Sequence, residues 1–281
     1  MLFLKMQKIT LSNIRNDTKG YNELIKLYEE HKEDIFENIE LDLTSWFDAN
    51  LSAILGAILD KIGKNGLNNF QIGFIQSDIQ KILQKNNFLS FFGFNKLYDT
   101  YNTTIEYKKL KPTDTRYFNT YLEELLNRRE FPNMTEYVHE KISESIQEMF
   151  INAIYHSRTE FIYTCGQFHP ARHELNFTIV DTGIGFAKRI EESLDIPNIS
   201  SKDAIMWAIT DGNTSKKDVS GGLPTFISPW IDGKKAVEAA GSDITKANAV
   251  SVQEHEREWS EIFAGIHEVV DAVAFQDGHI D

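Results

Sequence analysis

Cysteine is almost missing. The 281-residue chain carries one, Cys165, so no disulfide can close within it, which fits a reducing compartment. Long apolar runs are lacking as well. Leu51 to Leu59 is among the longest, it is interrupted by Ser and Gly, and it falls well short of a membrane span. The N-terminus has Lys5 and Lys8 but too short an apolar stretch for a signal peptide. Positive charge is in deficit: 29 Lys and Arg against 42 Asp and Glu leave a net charge of −13. A broad DNA- or RNA-binding surface needs clustered cations, so it is excluded, whereas one nucleotide needs only a few local donors. The expected setting is the cytoplasm, with no membrane and no nucleic-acid partner.

What is present is ordinary globular composition, 41% hydrophobic and 25% charged, with length for one large domain or two modest ones. Internal repeats and low-complexity runs are absent. Composition shifts at Leu223: Asn occurs 19 times up to that residue and once after it. Four segments are therefore expected, at 1–94, 95–135, 136–223 and 224–281.

In the first segment, Ile39-Glu-Leu-Asp-Leu43 alternates apolar and polar residues like a strand. Leu51 to Ile62 has apolar residues at helical spacing, Phe70 to Ile75 reads as a second strand, and Ser77 to Lys85 as a helix with Ser77 as N-cap. Such alternation implies a parallel or mixed sheet with helices packed on it. Further on, Thr103 to Lys108 is strand-like, and Arg116 to Arg129 reads as a helix that Pro132 ends. The overall expectation is an α/β (α+β) fold.

The most informative residues lie between Glu148 and Gly185. A helical pattern runs from Glu136 to Ser157, with Ile142, Ile146, Met149 and Ala153 as its core stripe. Glu148, Asn152 and His156 recur at i, i+4 and i+8 along the adjoining flank, where groups lining a cleft would stand. Taken alone, each is as well explained as a polar residue on a half-exposed helix. Downstream, the apolar strand Leu175 to Val180 delivers Asp181, followed by Gly183 and Gly185. A carboxylate at a buried strand end requires a donor, since an unpaired buried charge is costly. The exocyclic amine of adenine is such a donor, and the guanine carbonyl is not. Glycines at 183 and 185 let the backbone turn tightly and approach a flat ring.

Glu148-x-x-x-Asn152-Ala-x-x-His156 resembles the N box, and Asp181-x-Gly183-x-Gly185 the first glycine box, of the GHKL superfamily of gyrase-type ATPases, histidine kinases and anti-sigma-factor kinases. The resemblance implies an α/β sandwich of the Bergerat type that binds ATP and Mg²⁺. It implies that Asn152 coordinates the metal between the phosphates, that Asp181 reads adenine, and that Glu148 orients or deprotonates the attacking group. His156 either contacts a phosphate or caps the helix. Ser200 to Ile209 reads as a serine-capped helix, and the loop after it, closing at Gly221-Gly222, resembles the ATP lid. Thr214, Ser215 and Lys216 are its candidate phosphate contacts, with Gly221 and Gly222 as backbone donors.

The strand, Asp48 and the amphipathic helix after it resemble the STAS domain of anti-sigma-factor antagonists. In that family a Ser or Thr two residues after the aspartate accepts a phosphoryl group; Asn50 stands there in this chain and has no hydroxyl. Beyond Leu223 the pattern departs from the GHKL one, because Pro224 and Pro229 bracket an extended stretch where a helix is expected. The 224–281 tail reads as an atypical β-α-β segment, and the stretch from Asp271 to Gly278 weakly resembles part of a glycoside-hydrolase-like (β/α)₈ barrel. The sequence thus favours a nucleotide-dependent regulatory switch, ATPase or kinase-like, with a protein partner; a homodimer stays open. A non-catalytic interaction module and a carbohydrate-active fragment are the alternatives.

Overall fold

Strand-period and helix-period patterns alternate along the first part of the chain, and the backbone follows them. In the computed structural model the order is β1 (Met6–Leu11), α1 (Thr18–His31), β2 (Asn38–Leu43), α2 (Ser52–Gly66), β3 (Asn69–Ile75) and α3 (Ser77–Lys85). It continues with β4 (Thr104–Leu110), α4 (Thr115–Leu126), α5 (Glu136–His156), β5 (Ile162–His169), β6 (Glu174–Asp181) and α6 (Gly185–Leu194). The structure describes residues 6–131, 136–172, 174–194, 197–200, 203, 204 and 207. The candidate lid residues Thr214, Ser215, Lys216, Gly221 and Gly222, and the 224–281 tail, lie outside the described residues. The fold is mixed α/β, with two three-stranded sheets and six α-helices among those residues. None of these helices is long and apolar enough to cross a membrane.

The chain divides into two units. A sheet unit holds the residues up to Lys111 together with Phe161–Thr182; a helical unit holds Pro112–Glu160 and the described residues from Gly183 onward. In the sheet unit, β1, β2 and β3 form a parallel sheet in that order, and β4, β5 and β6 an antiparallel one. Ile39, Leu41 and Leu43 of β2 face the core, as their alternation requires. The opposite face is polar, where Lys8 pairs with Asp42 at 2.8 Å and with Glu40 at 3.2 Å. The Lys8 ammonium and the Phe74 backbone N–H hold the Asp42 carboxyl below its ordinary range.

Helix α2 joins the two sheets. It packs against β3 and against β4, β5 and β6, and Ser52, Ala53, Ile54, Leu55, Ala57, Ile58 and Leu59 are all buried. The first two turns of the helix are covered on every side and nearly free of polar residues, while Lys64 and Asn65 near its end are exposed. Its core is continuous with Tyr107, Tyr163, Cys165 and Val180 of the antiparallel sheet, so the two sheets share one hydrophobic interior. Within that interior the two amide protons of Asn86, fully buried, are shared among Ser52 Oγ (3.1 Å), Ala49 O (3.3 Å) and Cys165 Sγ (3.3 Å), and its Oδ1 accepts from Phe88 N (3.0 Å). Burial pushes the Cys165 thiol up to about 12, so it stays protonated, with its single S–H within reach of Ala49 O and Ile105 O.

Some expectations need correcting. Ser77 opens α3, but the capping position is Gln76, and no side chain caps that helix. α4 closes at Leu126, well before Pro132, with the Asn127 side-chain amide donating to Glu123 O at 2.9 Å. On α5, Ile142, Ile146 and Ala153 are buried as expected, while Met149 is only half-buried and Phe150 is fully buried. The ring of Phe150 stacks on that of Phe118 from α4, 3.8 Å apart and 7° from parallel.

Gly56 decides how closely α2 approaches the antiparallel sheet. A Cβ there would collide with the Tyr107 ring, and that ring is hemmed edge-on by Phe88 and Phe91, each with centroids 5.1 Å away. In an open helix, Gly to Ala would gain up to about 1 kcal/mol. Overpacking costs about 1–3 kcal/mol and reverses the sign here. Gly56→Ala is expected to lower the thermal unfolding midpoint by several degrees; a raised midpoint would contradict this packing.

Candidate functional site

The flank of α5 is positioned by its buried face. Stacking of Phe150 on Phe118 and burial of Ile142 and Ile146 orient the helix, leaving Glu148 and Asn152 half-buried one turn apart. His156 occupies the last position of the helix. Ser157 follows it, buried, and its hydroxyl donates to Ala153 O while accepting from Thr159 N at 3.1 Å.

The turn after β6 closes onto this helix end. Ile184 N donates to Ser157 O at 2.7 Å, and a Cβ on Gly183 would collide with that same carbonyl oxygen and with the Ser157 side chain. Glycine is therefore required at 183 for backbone to meet backbone. Gly185, with φ +72°, opens α6, a helix that the reading of this stretch as a turn did not anticipate. α6 is held by Ala187 and Ile190 against Ala204, Ile199 and Trp207. Arg158, itself left-handed at φ +54°, bridges to Glu192 of α6 at 2.6 Å, an exposed pair worth at most about 1 kcal/mol. Ser200 Oγ accepts from Asp203 N at 3.0 Å; most of the 200–209 stretch expected to be a helix lies outside the described residues.

Glu148, Asn152, His156, Gly183 and Gly185 thus all belong to the helical unit. Asp181 ends β6 in the sheet unit, half-buried and opposite Ile162 of β5. By strand alternation it shares a face with Phe177 and Ile179, while Asn176, Thr178 and Val180 share the other.

Asn50 carries more structure than its lack of a hydroxyl suggests. It is 2% exposed, in a 3-10 turn (Ala49–Leu51) ahead of α2. Its amide donates to Asn16 Oδ1 (2.7 Å) and to Thr178 Oγ1 of β6 (3.1 Å), and its own Oδ1 has no partner. Leaving a buried carbonyl oxygen unpaired costs about 1–3 kcal/mol. Asp48 is committed to the same loops, accepting from Asn16 N and from Trp46 Nε1, each at 2.7 Å.

Among the described residues there is no cluster of three or more His, Cys, Asp or Glu that would hold a metal ion alone. The amide oxygen of Asn152 is a hard donor of the kind Mg²⁺ takes in company with phosphate oxygens, so the residues fit a metal brought with a nucleotide. No family model, curated protein or solved structure matches the chain.

Sequence reasoning missed Ser157, whose carbonyl receives the glycine turn, because a Ser at a helix end carries no distinguishing pattern. Gly183→Ala should open that contact. The expected result is a loss of about 1–3 kcal/mol in stability, read as a lower melting midpoint, with Gly185→Ala also unfavourable because of its positive φ. An unchanged midpoint for Gly183→Ala would contradict the contact.

Proposed function

We propose that the chain is an ATP-binding regulatory protein of the GHKL type, with a STAS-like first segment and a protein partner. The observation that carries this reading is the backbone contact between Ser157 and the Gly183-Ile184 turn. It ties the end of the Glu-Asn-His helix to the glycines that follow Asp181, the pairing that a helix edge and a strand-end loop need in order to grip one flat ring.

In this reading Asp181 accepts from the adenine amine, and Gly183 and Gly185 bring backbone close to the base. Asn152 supplies an oxygen to Mg²⁺, which when bound neutralises phosphate charge. Glu148, one turn away, orients the attacking water or hydroxyl and takes its proton. The half-buried flank lowers the local dielectric and makes these hydrogen bonds stronger than in water. ATPase and kinase-like transfer use the same groups and differ only in the acceptor. A non-catalytic interaction module is the second reading. It is favoured by Ile35, Phe36 and Leu67, which are 63%, 65% and 64% exposed, the last two beside one another through Phe36 N to Gly66 O at 2.8 Å.

Calorimetric titration of Mg²⁺-ATP into the full chain separates the two: saturable heat supports the first reading, and none sinks it. Asp181→Asn is expected to weaken ATP binding about 10- to 100-fold, since a hydrogen bond to a charged group is worth roughly 1.5–3 kcal/mol. Glu148→Ala should keep binding and lose turnover; equal loss of both would make the glutamate structural.

A further inference from the structure

We propose that Asn50 is a positioning residue for Asp181, holding β6 in the one register that turns the carboxylate away from α2. The proposal rests on the adenine role given to Asp181 above.

The faces of β6 are ambiguous. Strand register is set where one face is apolar and the other polar, because a slip of one residue exchanges the faces. β6 does not offer that contrast. Leu175, Phe177 and Ile179 on one face and Val180 on the other are all buried, so burial of apolar side chains rewards either orientation. What distinguishes the faces is a polar pair, Asn176 and Thr178, 2% and 1% exposed. Both find their partners in the loops that follow β1 and β2. Asn50 donates to Thr178 Oγ1 at 3.1 Å, and the Asn16 amide donates to Asn176 Oδ1 at 3.5 Å. Asn16 is itself fixed by the Tyr21 hydroxyl at 2.8 Å and by the Asp48 carboxylate at 2.7 Å.

A one-residue slip would put Phe177 and Ile179 against these amides and strand their donors. Asn50 also accepts a cost, since its Oδ1 is buried without a partner, and an apolar residue of the same size would avoid it. In coiled coils a buried asparagine of this kind fixes register at a cost in stability. Here the consequence lies three residues on. With Thr178 turned toward Asn50, alternation places Asp181 on the opposite face. Asn50 would thus be a fixed strut between the first segment and the base-reading strand.

The test compares Asn50→Leu, Thr178→Val and the double variant with the unaltered full chain. Affinities for Mg²⁺-ATP and Mg²⁺-GTP are measured by displacement of a fluorescent nucleotide, alongside melting midpoints. A base-reading carboxylate prefers ATP, and that preference is the readout a merely structural residue leaves alone. Each single variant is expected to fold but to melt a few degrees below the unaltered chain, to lose about tenfold in the ATP-to-GTP ratio, and to show no further loss of that ratio when combined. An unchanged ratio in folded variants overturns the proposal, as does failure of both single variants to fold, which makes the contact purely structural. Absence of ATP binding in the unaltered chain fails the nucleotide reading itself and is seen before any variant is compared.

Discussion

Everything in the sheet unit depends on a helix that has no exposed apolar side to spare. α2 is covered by a parallel sheet and an antiparallel one, and its run of buried residues from Ser52 to Leu59 leaves no face of that half for solvent. A small sheet needs an apolar face to pack in order to be stable. Packed on one shared helix, the two sheets bury a single interior in which Asn86 and Cys165 satisfy one another and the neighbouring backbone. The first segment therefore shares its core with β4, β5 and β6, and polar contacts such as Asn50 to Thr178 tie the loops after β1 and β2 to the strand that ends in Asp181.

The helical unit shows a different economy. α5 is fixed by one aromatic stack and a short apolar stripe, and its end is closed by the Ser157 hydroxyl together with a backbone contact from Ile184 to the Ser157 carbonyl. Gly183 is there for what it lacks: the carbonyl of Ser157 occupies the space of its side chain. Contacts of this kind hold a turn at a set distance from a helix end whatever the surrounding side chains do. That suits a site where one helix edge and one loop must present hydrogen-bonding groups to a rigid ring.

The elements with a single dominant period were legible in the sequence. β2, β3, α3, β4, α5 and β6 stand close to where their apolar spacing puts them, because alternation and the 3.6-residue repeat report burial directly. α6 was hidden by Gly183 before it and Gly185 at its start, which signal a turn more strongly than Ala187 and Ile190 signal a helix. Phe150 was missed as a core residue because its partner, Phe118, lies on a different helix, and no local pattern records a stack between helices. Asn50 was legible only as the absence of a hydroxyl. Its hydrogen bonds to Asn16 and Thr178 join residues far apart in the chain, and composition carries no trace of them. Of the proposed site, the residue types and their spacing were legible; the backbone contact that closes the turn on Ser157 was not.

The claim that matters most is that one adenine nucleotide is gripped by the α5 flank and the turn after β6. Photolabelling of the full chain with an azido-adenine nucleotide, followed by peptide mapping, reads that directly. The account predicts label within 148–157 or 181–185, abolished by excess Mg²⁺-ATP and spared by excess GTP. Label confined to other segments, or label that ATP does not displace, would contradict it.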